Sequence, residues 1–434
     1  MKYHYFFFRT PVPSNGFAKR DATPRFLPWS RGRLLRYEMT SVKTLRPKVG
    51  IRQGGNPAVM TVELLREVVT RDFRNRSVLV KPNLGFLGNS GTGIITHCEV
   101  VRGVVRFMKE VGAQPFIGDS CTFGVNPKEA FERSGTATIA REEGVDLVNL
   151  DEGRPIPFHV PDPYAVDGFK VSSYAAEADC IVSVPVMKTH MHVIASLSLK
   201  NMKGCLHQRE KMRFHHLREE DRFSAWHAYK NLDRAVADLS SVLYADLAVI
   251  DGIVAMEGLG PGLGEPKPLG LVLAGEDPIS ADMAALFLMG FTEKELPHLA
   301  LAMTKRKCPG LTFEDLDVDR KAFLALRSPF KRAVPEDISA QFPEFTITSG
   351  ETCSACRATA MAFLRIYGKK YSGSKPTQIA MGKKIDLRQV QKERCVLLGN
   401  CSSELQTMGI FIEGCPPIPS DILKAIDALN PGDG

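Results

Sequence analysis

The chain lacks most of the features that assign a protein quickly. No stretch approaches the ~18 consecutive apolar residues of a membrane-crossing helix, so no membrane partner is expected. No secretory core is present, because Phe6-Phe7-Phe8 is too short for one. Charge of one sign is missing from the body. Residues 1–38 hold eight Lys/Arg and two acids, Asp21 and Glu38, which leaves 48 basic against 47 acidic residues in 39–434. A body so nearly neutral argues against a nucleic-acid or anionic-membrane partner. There is no Walker A sequence and no G-x-S-x-G elbow. Gly258-Leu-Gly260-Pro-Gly262-Leu-Gly264 lacks the G-x-G-x-x-G order and no helix follows it, so it is not read as a dinucleotide loop. No internal repeat is visible.

What is present is ordinary globular material: 434 residues, 44% hydrophobic and 24% charged. Residues 1–45 carry no helical or strand period and are expected to be an unstructured leader or a mis-placed start, with translation beginning at Met39. From 46 to 335 strands and helices alternate. Strands are expected at Lys48–Gln53, Ser77–Lys81, Gln114–Gly118, Val145–Leu150, Asp179–Val186, Leu247–Asp251 and Leu269–Ala274. Helices are expected at Val62–Val69, Glu99–Val111, Asn126–Glu143, Ala225–Leu243 and Pro278–Met289. Such alternation implies an α/β fold, a doubly wound and mostly parallel sheet covered on both faces. Residues 304–345 read as helix and connector, and a smaller Cys-rich α/β unit occupies 346–434.

Half of the ten cysteines fall in the last 82 residues. Without a secretion signal a reduced cytoplasm is the expected setting, and clustered Cys then reads as a metal site. Cys353 and Cys356 open a helix, Ser354–Tyr367. Cys401 follows the strand Cys395–Leu398, and Cys415 follows the strand Ile410–Ile412. A short helix, Ser403–Thr407, lies between those strands, and Ser420 caps a last helix, Asp421–Leu429. In a parallel sheet the C-terminal strand ends share one edge, so these four sulfurs are expected to converge. Cys395 begins its strand, on the order of 20 Å from Cys401 along an extended chain, and is expected in the core. Four thiolates suit a 4Fe–4S cluster, with zinc as the alternative.

Polar residues also follow the strands of the larger part: Lys81 and Asn83, Asp119 and Ser120, Lys188, Thr189 and His190, Asp251, Glu257 and Asp282. Each alone reads as a turn or cap; together they mark the site edge of a wound sheet. Lys200 and Lys203 suit a carboxylate or phosphate. His190 suits general acid–base work or a metal. Cys205–Arg222 reads as a polar loop able to close over a ligand.

These segments resemble the uncharacterised family called domain of unknown function 362. The likeness is carried by Val80-Lys81-Pro82-Asn83, Ile117-Gly118-Asp119-Ser120, Ile181–His190, Leu199–Gly204, Val249–Pro261 and Glu276–Asp282. It implies the α/β fold and, since many relatives carry iron–sulfur cysteines, such a cluster, although the C-x2-C-x2-C-x3-C run is absent. More loosely, Asp179–Gly204 is similar to nickel-dependent lactate racemases. The expected function is an iron–sulfur oxidoreductase or electron-transfer-coupled enzyme on a small anionic metabolite or cofactor. Lys81, Asp119, Lys188, His190, Lys200 and Lys203 would be at its site, and an electron-transfer protein is a possible partner. The alternatives are a non-redox racemase or lyase with structural cysteines, and a metal carrier or assembly protein.

Overall fold

The computed structural model describes residues 46–430 except 123–124, 209, 215–216, 218–229, 333–338 and 353. The expected leader, 1–45, therefore lies outside the described residues, as does most of the second half of the polar loop.

The larger sheet is α/β and mostly parallel, as expected. Its strands are β1 (Val49–Gln53), β2 (Ser77–Pro82), β3 (Gln114–Asp119), β4 (Leu147–Asn149), β7 (Cys180–Val184), β8 (Val186–His190), β9 (Ile194–Ala195), β10 (Leu247–Glu257) and β11 (Glu265–Gly275). The main path runs β1-β11-β10-β7-β2-β3-β4, with β8 added beside β10 and β9 beside β8. The central strands β7, β2 and β3 pair in parallel, and β1 and β11 are antiparallel at one edge. Central strands are buried on both sides, and Val78-Leu79-Val80 and Ile181-Val182 are accordingly continuous apolar runs. One face packs on the helices Pro57–Val68 and Cys98–Glu110 through Leu64, Leu65, Val101 and Val105. Pro278–Met289 packs on β10 and β11. A separate hairpin, β5 (Pro155–His159) with β6 (Gly168–Ser172), was not foreseen.

Three expectations need correction. The helix expected at Asn126–Glu143 is two, Pro127–Arg133 and Thr136–Glu143, because Gly135 takes a left-handed φ of 78° between them. The strand expected to end at Val186 instead stops at Val184 and restarts as β8 beyond Pro185. Asp251 N donates to Pro185 O across the break, so pairing to β10 continues there although Pro185 has no N–H. Lys188, Thr189 and His190 thus lie within a strand rather than in a turn after one. The first helix begins five residues earlier than its apolar period suggested, because the Asn56 side chain accepts from Ala58 N and Val59 N.

The smaller sheet is wholly parallel: β12 (Phe345–Ser349), β13 (Thr377–Met381), β14 (Cys395–Leu398) and β15 (Ile410–Ile412) in that order. β14, β15 and the helix Ser354–Tyr367 fall where the sequence placed them. The expected Ser403–Thr407 helix is a longer 3-10 turn, Asn400–Met408, and the last helix starts at Pro419 with Ile418, not Ser420, at its cap. β12 and β13 were missed; each is only five residues long, and Thr346 and Ser349 face solvent. Cys395 is 1% exposed among Ala380, Ile385 and Leu397, as its position at a strand start required. Among the described residues no helix is long and apolar enough to cross a membrane.

Candidate functional site

Strand ends fix the floor of the site. Lys81 ends β2 and Asp119 ends β3, and the neighbouring strands bring Nζ within 2.7 Å of Asp119 Oδ1, both side chains buried. Nζ also donates to Pro82 O at 3.0 Å and Asn201 Oδ1 at 3.2 Å, which uses all three of its protons. Asp119 accepts in addition from Leu84 N at 2.6 Å and Ser120 N at 2.8 Å. A charge pair so fully satisfied is a rigid support. Gly204 lies against it: a Cβ there would stand 2.5 Å from Asp119 Oδ1 and 2.6 Å from Lys81 Nζ. The glycine of the Leu199–Gly204 motif is therefore a close-approach residue.

Lys188 is a different kind of lysine. Its Nζ donates to Asn83 Oδ1 at 2.7 Å, Ile94 O at 2.7 Å and Pro261 O at 3.5 Å, and it lies 5.8 Å from the Phe86 ring centre. All three acceptors are neutral, and among the described residues no carboxylate is within ion-pair distance. Burial pushes its ammonium down to about 7, and the Lys200 cation adds to the effect against a smaller opposing pull from Asp119. Lys200 is held down to about 8 by burial against the attraction of Asp233. Lys203, over the Phe214 ring, is pushed well below the usual lysine range by burial and by Lys200 and Lys211.

Two histidines continue from β8. His190 Nδ1 accepts from His192 N at 3.0 Å, so its neutral ring carries the proton on Nε2. The His192 ring is pushed down to about 3, by burial first and then by Lys200, Lys230 and Lys203, and is neutral. Its Nε2 meets Thr359 Oγ1 at 2.8 Å, and that hydroxyl lies 3.1 Å from both Ala355 O and Pro417 O. Because the hydroxyl proton is directed at a carbonyl, the contact is His192 Nε2–H donating to Oγ1. The chain of bonds ties the end of β8 to the Cys-rich unit. Met191 packs on Ala358 and Ala362 beside it.

All six residues named from the sequence line one cavity of about 980 Å³: Lys81, Asp119, Lys188, His190, Lys200 and Lys203. Among the described residues Lys211 and Lys424 complete its lysines, and Asp119 and Asp151 are its acids. Both acids already face a lysine, Asp119 with Lys81 and Asp151 with Lys211 at 2.8 Å. The surplus is positive, which favours an anion. Phe86, Met191, Leu263, Ile366 and Ile418 supply apolar wall. Asp251, Glu257 and Asp282 are not part of it. Asp251 accepts from His97 N and Ile253 N, Asp282 from Ser198 N and Leu199 N, and Glu257 pairs with Lys267.

Sequence reasoning missed the far wall, given by Ile366, Tyr367, Ile418–Ser420 and Lys424 of the smaller unit. Nothing local marks it; it exists only because the two sheets pack together. The Gly258–Gly264 stretch was set aside as a nucleotide loop, yet Pro261, Gly262 and Leu263 border the cavity, and Gly260 O accepts from Met191 N at 2.8 Å.

Cys356, Cys401 and Cys415 are not among the residues that line the cavity. Cys356 is buried in the first turn of Ser354–Tyr367, with Sγ 2.8 Å from where a Cβ on Gly399 would stand. Gly399 N donates to Ile412 O at 2.9 Å, Asn400 N to Gly414 O at 2.9 Å, and Gly414 N to Asn400 Oδ1 at 2.7 Å. The segments bearing Cys401 and Cys415 thus leave their strands side by side. Cys401 is exposed, Cys415 is half-buried, and Cys353 lies outside the described residues. Among the described residues no three His, Cys, Asp or Glu side chains are arranged to hold a metal ion. The three described thiols do not by themselves make a metal centre.

Residues 78–287 match the family described as domain of unknown function (DUF362), so the likeness read from the motifs is borne out over that span. The thylakoid-associated protein sll1697 of Synechocystis is 27% identical over 223 residues, 51% of this chain and 66% of that protein. The chain thus spans just under two thirds of that relative's length. The apoprotein of the lactate racemase from Thermoanaerobacterium thermosaccharolyticum aligns over 90% of this chain and 91% of its own, with a TM-score of 0.37 and 10% identity. The looser likeness is present, at a level that carries no argument about the site.

Burial of Lys188 has a measurable sign. Its folded value, about 7, is below its ordinary 10.5, so the unfolded chain binds the proton more tightly between those values. Stability is therefore lost as pH falls through that window. Between about pH 7 and about pH 9 the wild type should gain roughly 2 kcal/mol of unfolding free energy from this group, a rise that Lys188→Met removes. Urea denaturation of both proteins at the two pH values checks it; equal slopes would contradict the burial effect.

Proposed function

We propose that this chain, with its domain of unknown function over 78–287, is an enzyme acting on a small organic anion, in which Lys188 supplies a neutral amine as the proton-accepting base. One observation carries the reading: an amine enclosed among neutral oxygens, with no carboxylate partner among the described residues, at the wall of a cavity whose described lysines outnumber its described acids. A base works best when its value lies near the ambient pH, and burial beside another cation is how a lysine reaches that range. The anion would be drawn by Lys200 and Lys203. The Lys81–Asp119 pair would hold the sheet edge still, and His190 would present Nε2–H. In this reading Asn83 Oδ1 and Ile94 O, both at 2.7 Å, hold the two protons of the neutral amine, and its third position, opposed only by the 3.5 Å contact to Pro261 O, takes the proton lost by the bound anion.

The test is proton exchange. A panel of small 2-hydroxy, 2-oxo and 2-amino carboxylates is incubated with the protein in D2O and followed by NMR. Exchange at C2 of a 2-hydroxy or 2-amino acid, or at C3 of a 2-oxo acid, is expected in at least one compound. Its rate should rise with pH through about 7 and fall at least ~100-fold in Lys188→Met. Undiminished exchange in that variant, or none from a folded wild type, would contradict the proposal.

A second reading concerns the Cys end and is favoured by the side-by-side exit of the segments bearing Cys401 and Cys415, near Cys356. We propose that Cys353 completes a metal centre there, a 4Fe–4S cluster in first place and zinc in second, with an electron-transfer protein as partner. No step of the proton transfer passes through it. Anaerobic purification followed by iron, sulfide and zinc analysis tests this. Near-stoichiometric metal, lost in Cys356→Ser, is expected; metal-free wild type would rule the centre out. The cytoplasmic setting expected from cysteine usage is a proposal as well. Thylakoid association is stated of the Synechocystis relative and would be checked here by fractionation.

A further inference from the structure

Two of the polar groups on the cavity wall have no partner of their own, and they lie on one short piece of chain. Ser196 is 8% exposed and lines the cavity, and its Oγ makes no hydrogen bond among the described residues. Lys200, four residues on within Leu197–Asn201, lines the same cavity, and among the described residues its Nζ has neither a hydrogen-bond acceptor nor an ion-pair partner. Buried polar groups are nearly always satisfied. The buried Ser196 hydroxyl and the half-buried Lys200 ammonium, both on the cavity wall, mark a place for oxygen atoms that the described residues do not provide.

The backbone is bent on both sides of the serine. Ile194 has a φ of 70° and Leu197 a φ of 51°. A left-handed conformation is uncommon outside glycine and a true outlier for a β-branched residue. Such strain persists where the surroundings dictate it, and it gathers at ligand sites. The surroundings do dictate it. Thr189 and His190 pair with Ala195 and Ile194, and Ser196 N donates to Lys188 O at 3.0 Å. Beyond the serine, Asp282 accepts from Ser198 N at 2.7 Å and Leu199 N at 2.9 Å. The hydroxyl is held in place from both directions.

We propose that Ser196 Oγ and Lys200 Nζ together hold the carboxylate of the ligand, the hydroxyl donating to one oxygen and the ammonium to the other. The proposal rests on the cavity's being an anion site and does not depend on Lys188 as the base. The donor count favours a carboxylate over a phosphate: one hydroxyl and one ammonium suit two oxygens, and among the described residues no arginine lines the cavity to serve the terminal oxygens of a phosphate ester. Phe86, Met191, Leu263 and Ile366 then face the remainder of the ligand, which is apolar.

Calorimetric titration with benzoate and with phenyl phosphate tests this on the full chain, as wild type, Ser196→Ala and Lys200→Gln. Wild type should bind benzoate in preference to phenyl phosphate. Ser196→Ala should weaken benzoate about tenfold and Lys200→Gln by more than that. The ligand-free Tm of Ser196→Ala should be unchanged or higher, because its hydroxyl has no protein partner to lose. The proposal is overturned if Ser196→Ala binds benzoate like wild type, if wild type does not bind benzoate, or if phenyl phosphate binds more tightly. A lowered ligand-free Tm in Ser196→Ala would show a structural role and overturn it too. If Lys188 is not the base, exchange in D2O fails while this titration stands, so the two failures are told apart.

Discussion

The site depends on a lysine amine kept inside the protein without a counter-charge. Lys188 sits in β8, and its neighbours offer it a side-chain amide oxygen and two backbone carbonyls. Neutral acceptors can solvate an ammonium in part but cannot cancel its charge, so burial is felt as a weakened hold on the proton. On the wall of the same cavity, Lys81 shows the alternative. Equally buried, it has Asp119 at 2.7 Å and serves as part of the frame. The same side chain has two roles, set by whether a carboxylate stands opposite.

That contrast orders the rest of the cavity. The described acids of the cavity are already bound, Asp119 to Lys81 and Asp151 to Lys211, and buried Asp251 and Asp282 are turned to backbone N–H groups. Among the described residues the cavity keeps a positive surplus because each of its acids already faces a lysine. The smaller unit closes the space with Ile366, Tyr367 and the segment 418–420. His192, Thr359 and Pro417 join it to the larger sheet, so the wall and the lysines are held in one hydrogen-bonded assembly. The end of β8 is thereby bonded to the helix Ser354–Tyr367, whose opening turn carries Cys356.

Much of this was legible in the sequence, for identifiable reasons. Polar residues near strand ends in a parallel sheet share an edge, so Lys81, Asp119, Lys188 and His190 could be grouped without knowing any distance, with Lys200 and Lys203 added from the motif that follows, and all six line one cavity. Gly204 was visible as a motif residue, but its reason, a close approach to the Lys81–Asp119 pair, needs the third dimension. Lys188 was placed after a strand rather than in one because Pro185 reads as a stop; the ladder instead resumes after it. Ser196 carried no signal, since an unpartnered hydroxyl is a statement about everything around it. The far wall was hidden for the same reason: Lys424 and Lys81 are brought to one cavity only by the packing of two sheets.

The central claim is the state of one amine. A protein labelled with 13C at the lysine ε-carbons, titrated by NMR with Lys188→Met used to assign the signal, reads it directly. A Lys188 midpoint near about 7, separated from the bulk lysines, is the predicted result. A midpoint within the ordinary range around 10.4 would mean that the amine stays charged at neutral pH and cannot serve as the base.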